Sequence, residues 1–469
     1  MGPNKFKSWG AVVLGAVIVY GGLVFVNFAT QPTGSLSLFK DPVIAAQLRS
    51  FVAEKAAQAY AATNPIPPEF KPFFKAAEKG DWLAVSNGFV EFRKHAGQYD
   101  HSGKIDERLR GTAWQAVMET WGALAAFGEG EEKYSAEFAT NIVASIPPGS
   151  IYFGGTDPGR FLVTAFCKSQ VNGDPFFVLT QNALADGTYL DYLHGMYGIK
   201  IYTPTAEDSQ KCFQDYTQDV AARQKKNQLK PGEDVQIDAD GKIQISGQVA
   251  VMQINGLLAR IIFDNNPDRD FYVEESFPLD WMYPSLEPHG LIFKINRQPL
   301  PGLSYEIVGQ DHDYWISLVR PMIGDWLTDD TSVEQVAAFV KKTFAQQDFS
   351  GFTGDRRFIQ NDYSNKTFSK LRSAIAGLYA WRLDKAVGEQ HKQRMAEAAD
   401  FAFRQAWALC PNSPEAVFRY VNFLLSQNRI SDALLVAETT AQMPSMQGQA
   451  GEQIRATVDQ LKAFQKSKH

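Results

Sequence analysis

The longest apolar stretch of the chain covers residues 8–29 and contains neither a charged residue nor a proline. Roughly 20 apolar residues in one helix cross the hydrocarbon core of a bilayer, which is about 30 Å thick. Lys5 and Lys7 precede this stretch, and positive charge is retained on the cytoplasmic side of a membrane. The pattern predicts a single transmembrane helix with a cytoplasmic N-terminus and an exported body.

A cleaved signal peptide is the alternative interpretation of the same stretch. Its apolar region would span about 7 to 15 residues and end in a small-x-small cleavage site. Asn27, Phe28 and Ala29 fit such a site poorly, which favours an anchor that is retained. A buried core helix is disfavoured, because the stretch has no polar face and follows a basic N-terminus.

Residues 41–145 show a helical pattern. Asp41 and Pro42 match an N-cap followed by proline in the first helical position, and the stretch after them is rich in alanine. Aromatic residues then recur at helical spacing, namely Phe70, Phe73, Phe74, Trp82, Phe89 and Phe92. We interpret them as a core between paired helices rather than as a platform for stacking sugars.

Strand and helix patterns alternate from residue 146 onward. We predict strands at 150–155, 174–181, 199–204, 268–276 and 289–299. Helical patterns lie between them at 157–169, 185–198 and 247–266, and a hairpin or a flexible excursion is expected at 238–247. This order is typical of a small parallel, Rossmann-like α/β unit with right-handed crossovers.

The chain becomes helical again from about residue 330. Pro411 and Pro444 are 33 residues apart, close to the tetratricopeptide period of about 34 residues. Ala399 and Ala433 let paired helices approach closely, and Asn428 tolerates the positive φ of an inter-helix turn. The pattern predicts a tetratricopeptide-type helix pair that stacks on the helices before it.

Four segments result from this pattern. We expect a transmembrane anchor at 1–30, a helical domain at 31–145, an α/β domain at 146–305 and a tetratricopeptide-like helical domain at 306–469. The fold class is therefore a central α/β domain flanked by all-α helical-hairpin domains.

Charge and cysteine content restrict the function. The net charge of −6 and the lack of a run of Lys or Arg argue against nucleic-acid partners and against broad contact with anionic lipid. Cys167, Cys212 and Cys410 show no CxxC spacing. A disulfide between Cys167 and Cys212 and three buried thiols both remain open.

Several segments of the α/β region resemble the soluble C-terminal part of bacterial multi-spanning membrane proteins that are similar to protein O-mannosyltransferases. The segments are SIYFGGTDPGRF, DPFFVLTQNALADGTYLDYL, INGLLARIIFDN and RDFYVEESFPLDWMYPSLEPHGLIFKINRQP. The resemblance covers roughly residues 146–445 and implies a bacterial envelope protein connected with glycan assembly. In that family the catalytic carboxylate lies between early transmembrane helices, whereas this sequence has one such stretch, so no catalytic residue is carried over.

The segment GGTDPGR is the first candidate for a ligand site. It follows a predicted strand and opens a predicted helix, with Gly154, Gly155, Thr156, Asp157 and Arg160 as the candidate binding residues. Ligands bind at the carboxyl ends of parallel strands, and a helix N-terminus attracts anions. The alternative is structural: Asp157 caps the helix, Pro158 takes its first position and the glycines form the turn.

Polar residues also follow the next predicted strand. Asn182 and Asp186 would line a pocket with Asp157 at the same edge of a parallel sheet, and Gln181 and Asp191 lie beside them. Helix capping is the competing role for this set.

Two other segments combine carboxylates with histidine. The first holds Glu274, Glu275, Asp280, Glu287 and His289, and the second is Asp311-His312-Asp313. Acid–base or metal chemistry uses such residue types, but neither segment has a metal-ligand spacing. We interpret the first as a solvated acidic loop and the second as a surface segment.

The sequence favours a binding protein over an enzyme. It contains no GxGxxG, P-loop or GxSxG motif, so we expect no cofactor, no metal and no catalytic activity of its own. The leading hypothesis is a scaffold of the bacterial inner membrane, with its body in the periplasm, that docks protein partners in helical grooves. The alternative is an enzyme or accessory domain in glycan or glycoprotein processing, with its site at the GGTDPGR loop.

Overall fold

The computed structural model describes residues 38–96, 104–155, 158–230, 232–237, 243–274 and 279–467 of the 469-residue chain. It is mostly helical, with helix hairpins and a small mixed sheet. Two compact units can be separated. The N-terminal unit runs to Met282 and includes Lys294–Asn296, and the C-terminal unit comprises Tyr283–Phe293 and the chain from Arg297 onward.

The predicted membrane anchor at 8–29 lies outside the described residues. Within the part of the chain that the structure describes, none of the helices has the length and apolar character needed to cross a bilayer.

The described part of the N-terminal unit opens with five α-helices, as the sequence predicts for residues 41–145. These are α1 (Pro42–Ala61), α2 (Phe70–Lys79), α3 (Trp82–Ala96), α4 (Gly111–Glu129) and α5 (Glu132–Ser145). The Asp41 side chain accepts hydrogen bonds from the backbone N–H groups of Val43 and Ile44, and Pro42 is the first helical residue. The predicted N-cap is therefore confirmed.

The aromatic residues of α2 and α3 form a core. Phe70, Phe73 and Phe92 are at most 4% exposed, and the Phe73 and Phe92 rings meet edge to face with centroids 5.3 Å apart. Phe89 stacks on Trp121 of α4 at 4.1 Å. The interpretation of these rings as core is confirmed.

The α/β part of this unit alternates strands and helices as predicted, except that segment 199–204 is not a strand and that the helix at Ala206–Lys225 was not predicted. Its elements are β1 (Ile151–Gly154), α6 (Pro158–Phe166), β2 (Phe177–Thr180), α7 (Gly187–Tyr197), α8 (Ala206–Lys225), β3 (Asp234–Ile237), β4 (Ile243–Ser246), α9 (Gln248–Asn265) and β5 (Phe271–Val273). β1 pairs in parallel with both β2 and β5, and β3 and β4 form an antiparallel hairpin. Two further strands follow: β6 (Leu286–His289) lies in the C-terminal unit, and β7 (Ile292–Ile295) lies where the chain passes between the two units.

The predicted strand at 199–204 is wrong. This segment forms a turn and extended backbone without strand pairing among the described residues. The Asn266 side chain takes the place of a neighbouring strand: its Oδ1 accepts from the Tyr202 N–H at 2.8 Å, and its Nδ2 donates to the Tyr202 carbonyl at 3.1 Å. A side-chain amide thus satisfies backbone groups that a ladder would otherwise pair.

The C-terminal unit consists largely of helix hairpins. Its helices are α10 (Tyr305–Ile323), α11 (Val333–Phe339), α12 (Arg356–Gln360), α13 (Asp362–Lys385), α14 (Glu389–Leu409), α15 (Pro414–Ser426), α16 (Ile430–Ala441) and α17 (Gly448–Ser467), with a π-helical segment at Val340–Ala345. Asn428 joins α15 to α16 with φ of 58°, as predicted for the turn. Ala399 and Ala433 are fully buried, which allows the close helix packing that the sequence predicts.

The three cysteines are free and buried. The suggested disulfide between Cys167 and Cys212 is therefore absent from the described residues, which include all three cysteines of the chain. Burial raises the pKa of the Cys167 thiol far above its usual value, so this side chain acts as a small apolar group.

Candidate functional site

Three parallel strands of the N-terminal unit end side by side. Gly154 of β1 pairs with Thr180 of β2, and Phe153 pairs with Val273 of β5, so Glu274 follows at the level of Gly154. Ligands of open parallel sheets bind beyond these carboxyl ends. The GGTDPGR loop begins at this edge, as expected, although Thr156 and Asp157 lie outside the described residues.

The Glu274 carboxylate lies at the start of this loop. The residue is only 2% exposed, and its Oε2 accepts a hydrogen bond from the Gly155 N–H at 3.1 Å. A Cβ atom on Gly159 would lie 1.1 Å from the same oxygen, so the carboxylate packs against the first turn of α6. The chain's own anion thus occupies the position in which an external phosphate would meet this helix N-terminus.

Two sequence predictions change because of this contact. The expectation of a solvated acidic loop is wrong for Glu274, since the short strand β5 carries it into the core. Gly154 is required for close packing rather than for ligand approach, because a Cβ there would lie 2.8 Å from the Gly159 carbonyl oxygen. Of the other acids in that segment, Glu275 lies outside the described residues and Asp280 is exposed beside Lys230.

Arg160 points away from the loop and into the helical core. Its Nη2 donates to Glu119 Oε1 at 2.7 Å and to Gln115 Oε1 at 2.6 Å, and both acceptors belong to α4. The residue is 4% exposed. Its guanidinium therefore holds α6 against α4. It is not available at the loop to bind an anion beside Gly155.

Glu119 also contacts a second cation. Lys55 Nζ lies 2.7 Å from Glu119 Oε2, and Tyr192 donates to the same oxygen at 2.8 Å. Burial opposes ionisation of Glu119, but Lys55 and Arg160 outweigh it and hold the pKa of this carboxyl at about 2. We call Lys55, Glu119 and Arg160 the buried charge cluster. Sequence reasoning missed it because its members lie on three helices distant in sequence.

The two candidates after β2 have different environments. Asp186 caps α7, and its Oδ1 accepts from the Thr188 N–H at 2.9 Å, which is the structural alternative that the sequence left open. The carbonyl of Asn182 accepts from Asn255 Nδ2 at 3.0 Å. Oδ1 of Asn182 is buried and has no hydrogen-bond partner among the described residues.

Two further side chains at this edge have unpaired polar atoms. Thr180 and Gln181 are each 1% exposed. Within the described ranges, the Thr180 hydroxyl and both ends of the Gln181 amide make no hydrogen bond. Buried polar groups of folded proteins are nearly always paired with protein or with ordered water. The end of β2 therefore has unused hydrogen-bonding capacity for a small polar group.

The C-terminal unit contains a cavity of about 280 Å³. It is lined by the segment 329–334 before and within α11, by Asp400 and Arg404 of α14, and by Arg429 and Asp432 at the start of α16. We call it the acidic pocket, because five carboxylates and two guanidinium groups line it and leave three negative charges in excess.

Ion pairs fix both arginines of the acidic pocket. Asp400 lies 2.7 Å from Arg429 Nη1 and 3.2 Å from Arg404 Nε, and Asp432 lies 2.7 Å from Arg429 Nε. A hydrogen bond from the Ser332 side chain and another from the backbone of Glu334 itself lower the pKa of Glu334. This carboxylate is therefore charged at neutral pH. The unpaired acids of the pocket suit a cationic group.

The segment Asp311-His312-Asp313 divides between core and surface. Asp311 is 5% exposed and accepts hydrogen bonds from Arg372 at 2.7 Å and from Tyr379 at 2.9 Å. The expectation of a surface segment is therefore wrong for Asp311, whereas His312 is partly exposed and lies 3.1 Å from Asp329. Among the described residues, no group of three His, Cys, Asp or Glu side chains is placed to hold a metal ion.

Comparison of the chain with protein-family models, with curated proteins and with solved structures gives no match. The resemblance to the O-mannosyltransferase-like proteins remains a prediction from the sequence.

Proposed function

We propose that this chain is a membrane-anchored scaffold protein of a bacterial cell envelope, without catalytic activity of its own. The uncharged stretch at 8–29 would hold it in the inner membrane, with the body in the periplasm. The C-terminal unit would dock a protein partner through tetratricopeptide-type helix pairs, for which the hairpins α13/α14 and α15/α16 provide the support.

The acidic pocket is the observation that carries this proposal. Its volume of about 280 Å³ is just below the range of small-molecule sites, about 300–1,000 Å³, and is large enough for one or two side chains. Its excess of carboxylates favours a partner that inserts Lys or Arg. Arg404 and Arg429 are already paired with Asp400, so they hold the helices in place and leave Asp330 and Glu334 for recognition.

Site-specific photo-crosslinking in intact cells tests this role. A photoreactive amino acid replaces Glu334, and a matched chain carries it at the exposed Lys392 of α14. We expect one discrete crosslinked protein from position 334 and none from position 392, and the crosslink should weaken when Asp330 is changed to Lys. Identical products from both positions, or no product from position 334, would contradict docking at the acidic pocket.

Protease protection tests the topology separately. Protease added to intact spheroplasts should digest the body, whereas the same protease in intact cells should not reach it. A body that resists digestion until the spheroplasts are lysed would place it in the cytoplasm and reject the envelope assignment.

A second candidate function is a small-ligand site in glycan or glycoprotein processing. The unpaired side-chain atoms of Thr180, Gln181 and Asn182 favour it, because amides and hydroxyls recognise hydroxyl-rich, uncharged ligands. In this case Gln181→Met should abolish binding of neutral oligosaccharides in calorimetry and leave the protein folded. A Met variant that is merely more stable, with no oligosaccharide bound by either protein, would reject this candidate.

A further inference from the structure

Two arginines and a histidine meet around a short surface loop in the C-terminal unit. Arg382 lies near the end of α13, and His391 and Arg394 lie in the first two turns of α14. Arg382 donates to the Leu300 carbonyl at 2.9 Å, and Arg394 donates to the Leu303 carbonyl at 2.8 Å. Gly302 lies between these two carbonyls, and a Cβ there would approach the His391 ring to 2.6 Å. The three side chains thus form one cationic cluster under the loop 300–303.

The cluster contains a buried positive charge without a counterion. Arg382 is 5% exposed, and its other hydrogen bonds go to the backbone carbonyls of Tyr283, Pro284 and Leu286 at 2.8–3.3 Å. No carboxylate of the described ranges forms an ion pair with Arg382 or Arg394. Buried charges in proteins are normally paired, so this arrangement lacks its usual anion.

Three nitrogens of the cluster have no hydrogen-bond partner. Nε of Arg382, Nε of Arg394 and Nε2 of His391 are all buried, and nothing in the described part of the chain accepts from them. Both Nη atoms of Arg382 and Nη2 of Arg394 donate to backbone carbonyls, so the three unpaired nitrogens need a further acceptor. Each unpaired buried donor destabilises the free protein, and an acceptor bound here would remove that penalty.

Positive charges and the N-terminus of α14 surround the His391 ring. Burial, followed by the nearby Arg394 and Arg382, lowers the pKa of His391. The N-cap of α14 is Gly388, which offers no side-chain acceptor to the first N–H groups of this 21-residue helix. Glu389 is the acid of that first turn, but it is exposed and lies 3.3 Å from Lys392.

We propose that Arg382, His391 and Arg394 form a binding site for a phosphoryl oxyanion, of which free phosphate is the simplest form. A phosphate presents acceptor oxygens in four directions, which suits donors that come from three side chains on two helices, whereas a carboxylate is planar. The buried donor atoms favour a small free anion over a lipid headgroup. The site is separate from the acidic pocket and does not depend on partner docking there.

Thermal unfolding and NMR of the full-length chain in detergent micelles test the site with inorganic phosphate. Ionic strength is held constant with sodium chloride. We expect the unfolding midpoint to rise saturably with phosphate and the pKa of His391 to rise, because a bound anion favours the imidazolium form. His391→Gln identifies the His391 resonance. Binding should be tighter at lower pH by the same linkage.

Two variants and a matched control make the test specific. His391→Gln and Arg394→Gln, both of partly exposed residues, should each weaken phosphate binding at least about tenfold, since the first removes an imidazole that a bound anion would protonate and the second removes a guanidinium donor. Arg357→Gln removes an exposed arginine of the same unit and should leave the affinity unchanged. Equal phosphate responses of all three variants, or no shift of the His391 pKa, would overturn the proposal.

Vesicles distinguish the two sources of the phosphoryl group. Phosphatidylcholine vesicles with and without phosphatidic acid are added to the phosphate-bound protein. Retention of phosphate in both cases assigns the site to the free anion. Displacement by the vesicles that contain phosphatidic acid assigns the same site to a lipid phosphate.

Discussion

Glu119 accepts a hydrogen bond of 2.7 Å from Arg160, a residue 41 positions later in the chain. The second oxygen of the same carboxylate lies 2.7 Å from Lys55 Nζ. One side chain of α4 therefore connects α1 to α6, and all three charges are almost completely buried. Removing the carboxylate would leave two cations in a region that water does not reach.

Substitution of Glu119 by Gln should destabilise the protein strongly. Breaking a buried ion pair from one side costs about 3–5 kcal/mol, because the partner charge stays buried without compensation. Urea unfolding measures the loss. Glu91→Gln is the matched control, since Glu91 makes a 2.7 Å pair with Lys94 but is 65% exposed, and it should cost less than about 1 kcal/mol. Equal losses would show that the buried charge cluster contributes no more than a surface pair.

Stability should fall in acid through the same carboxylate. The pKa of Glu119 is about 2 in the folded protein against an ordinary 4.5. The unfolded chain therefore takes up this proton first as the pH falls. The stabilisation, on the order of 3 kcal/mol, is complete above about pH 4.5 and is lost progressively towards pH 2. Urea unfolding at pH 6, 4 and 3 should show this loss, and Glu119→Gln should lack it. A variant with the same acid dependence as the parent chain would assign the effect to other groups.

Gly159→Ala should disturb the start of α6. The added Cβ would lie 1.1 Å from Glu274 Oε2, so the carboxylate must leave the position from which it binds Gly155. Overpacking of this kind costs about 1–3 kcal/mol, measured by urea unfolding. Gly195→Ala in α7 is the control: its Cβ meets nothing within 4 Å, and the change should be neutral or stabilising by up to about 1 kcal/mol.

A double variant separates contact from backbone effects in α6. Adding Glu274→Ala to Gly159→Ala removes the clash, so the two changes together should cost less than the sum of the single changes. If the losses of unfolding free energy of the two single variants simply add in the double variant, the clash with Glu274 is not the reason for glycine at position 159.

All three thiols should be unreactive in the native protein. Cys167, Cys212 and Cys410 are buried, and burial raises the pKa of Cys212 to about 11 and those of the other two still further. A thiol reagent should label none of them in the folded chain and all three in denaturant without a reductant. Fewer than three labels after denaturation would indicate a disulfide.

Much of the fold is visible in the sequence because local pattern decides it. The cap at Asp41, the turn at Asn428 and the strands β1 and β2 each depend on a few neighbouring residues. The segment 199–204 has a strand-like composition, but Asn266 in a distant part of the chain supplies its hydrogen bonds. Local pattern contains no information on such a partner.

The sequence predicts where the candidate site lies but not the contacts of its side chains. The carboxyl edge of the sheet follows from the order of strands, yet the direction of Arg160 depends on Gln115 and Glu119, and the burial of Glu274 depends on pairing between β1 and β5. The acidic pocket likewise combines side chains from three separated segments. Groups of side chains that come from separated segments can be recognised only in the folded structure.

The buried charge cluster also restricts how the N-terminal helices can assemble. If α1 docked on α4 one turn out of register, the Lys55 ammonium would lose its ion pair with Glu119 and would remain a buried charge with only neutral acceptors such as Gln58 of its own helix, which is costly. The cluster therefore selects a single register, and intermediates that lack α6 would leave Oε1 of the buried Glu119 carboxylate without its Arg160 donor. Assembly of α1, α4 and α6 should for this reason be cooperative rather than stepwise.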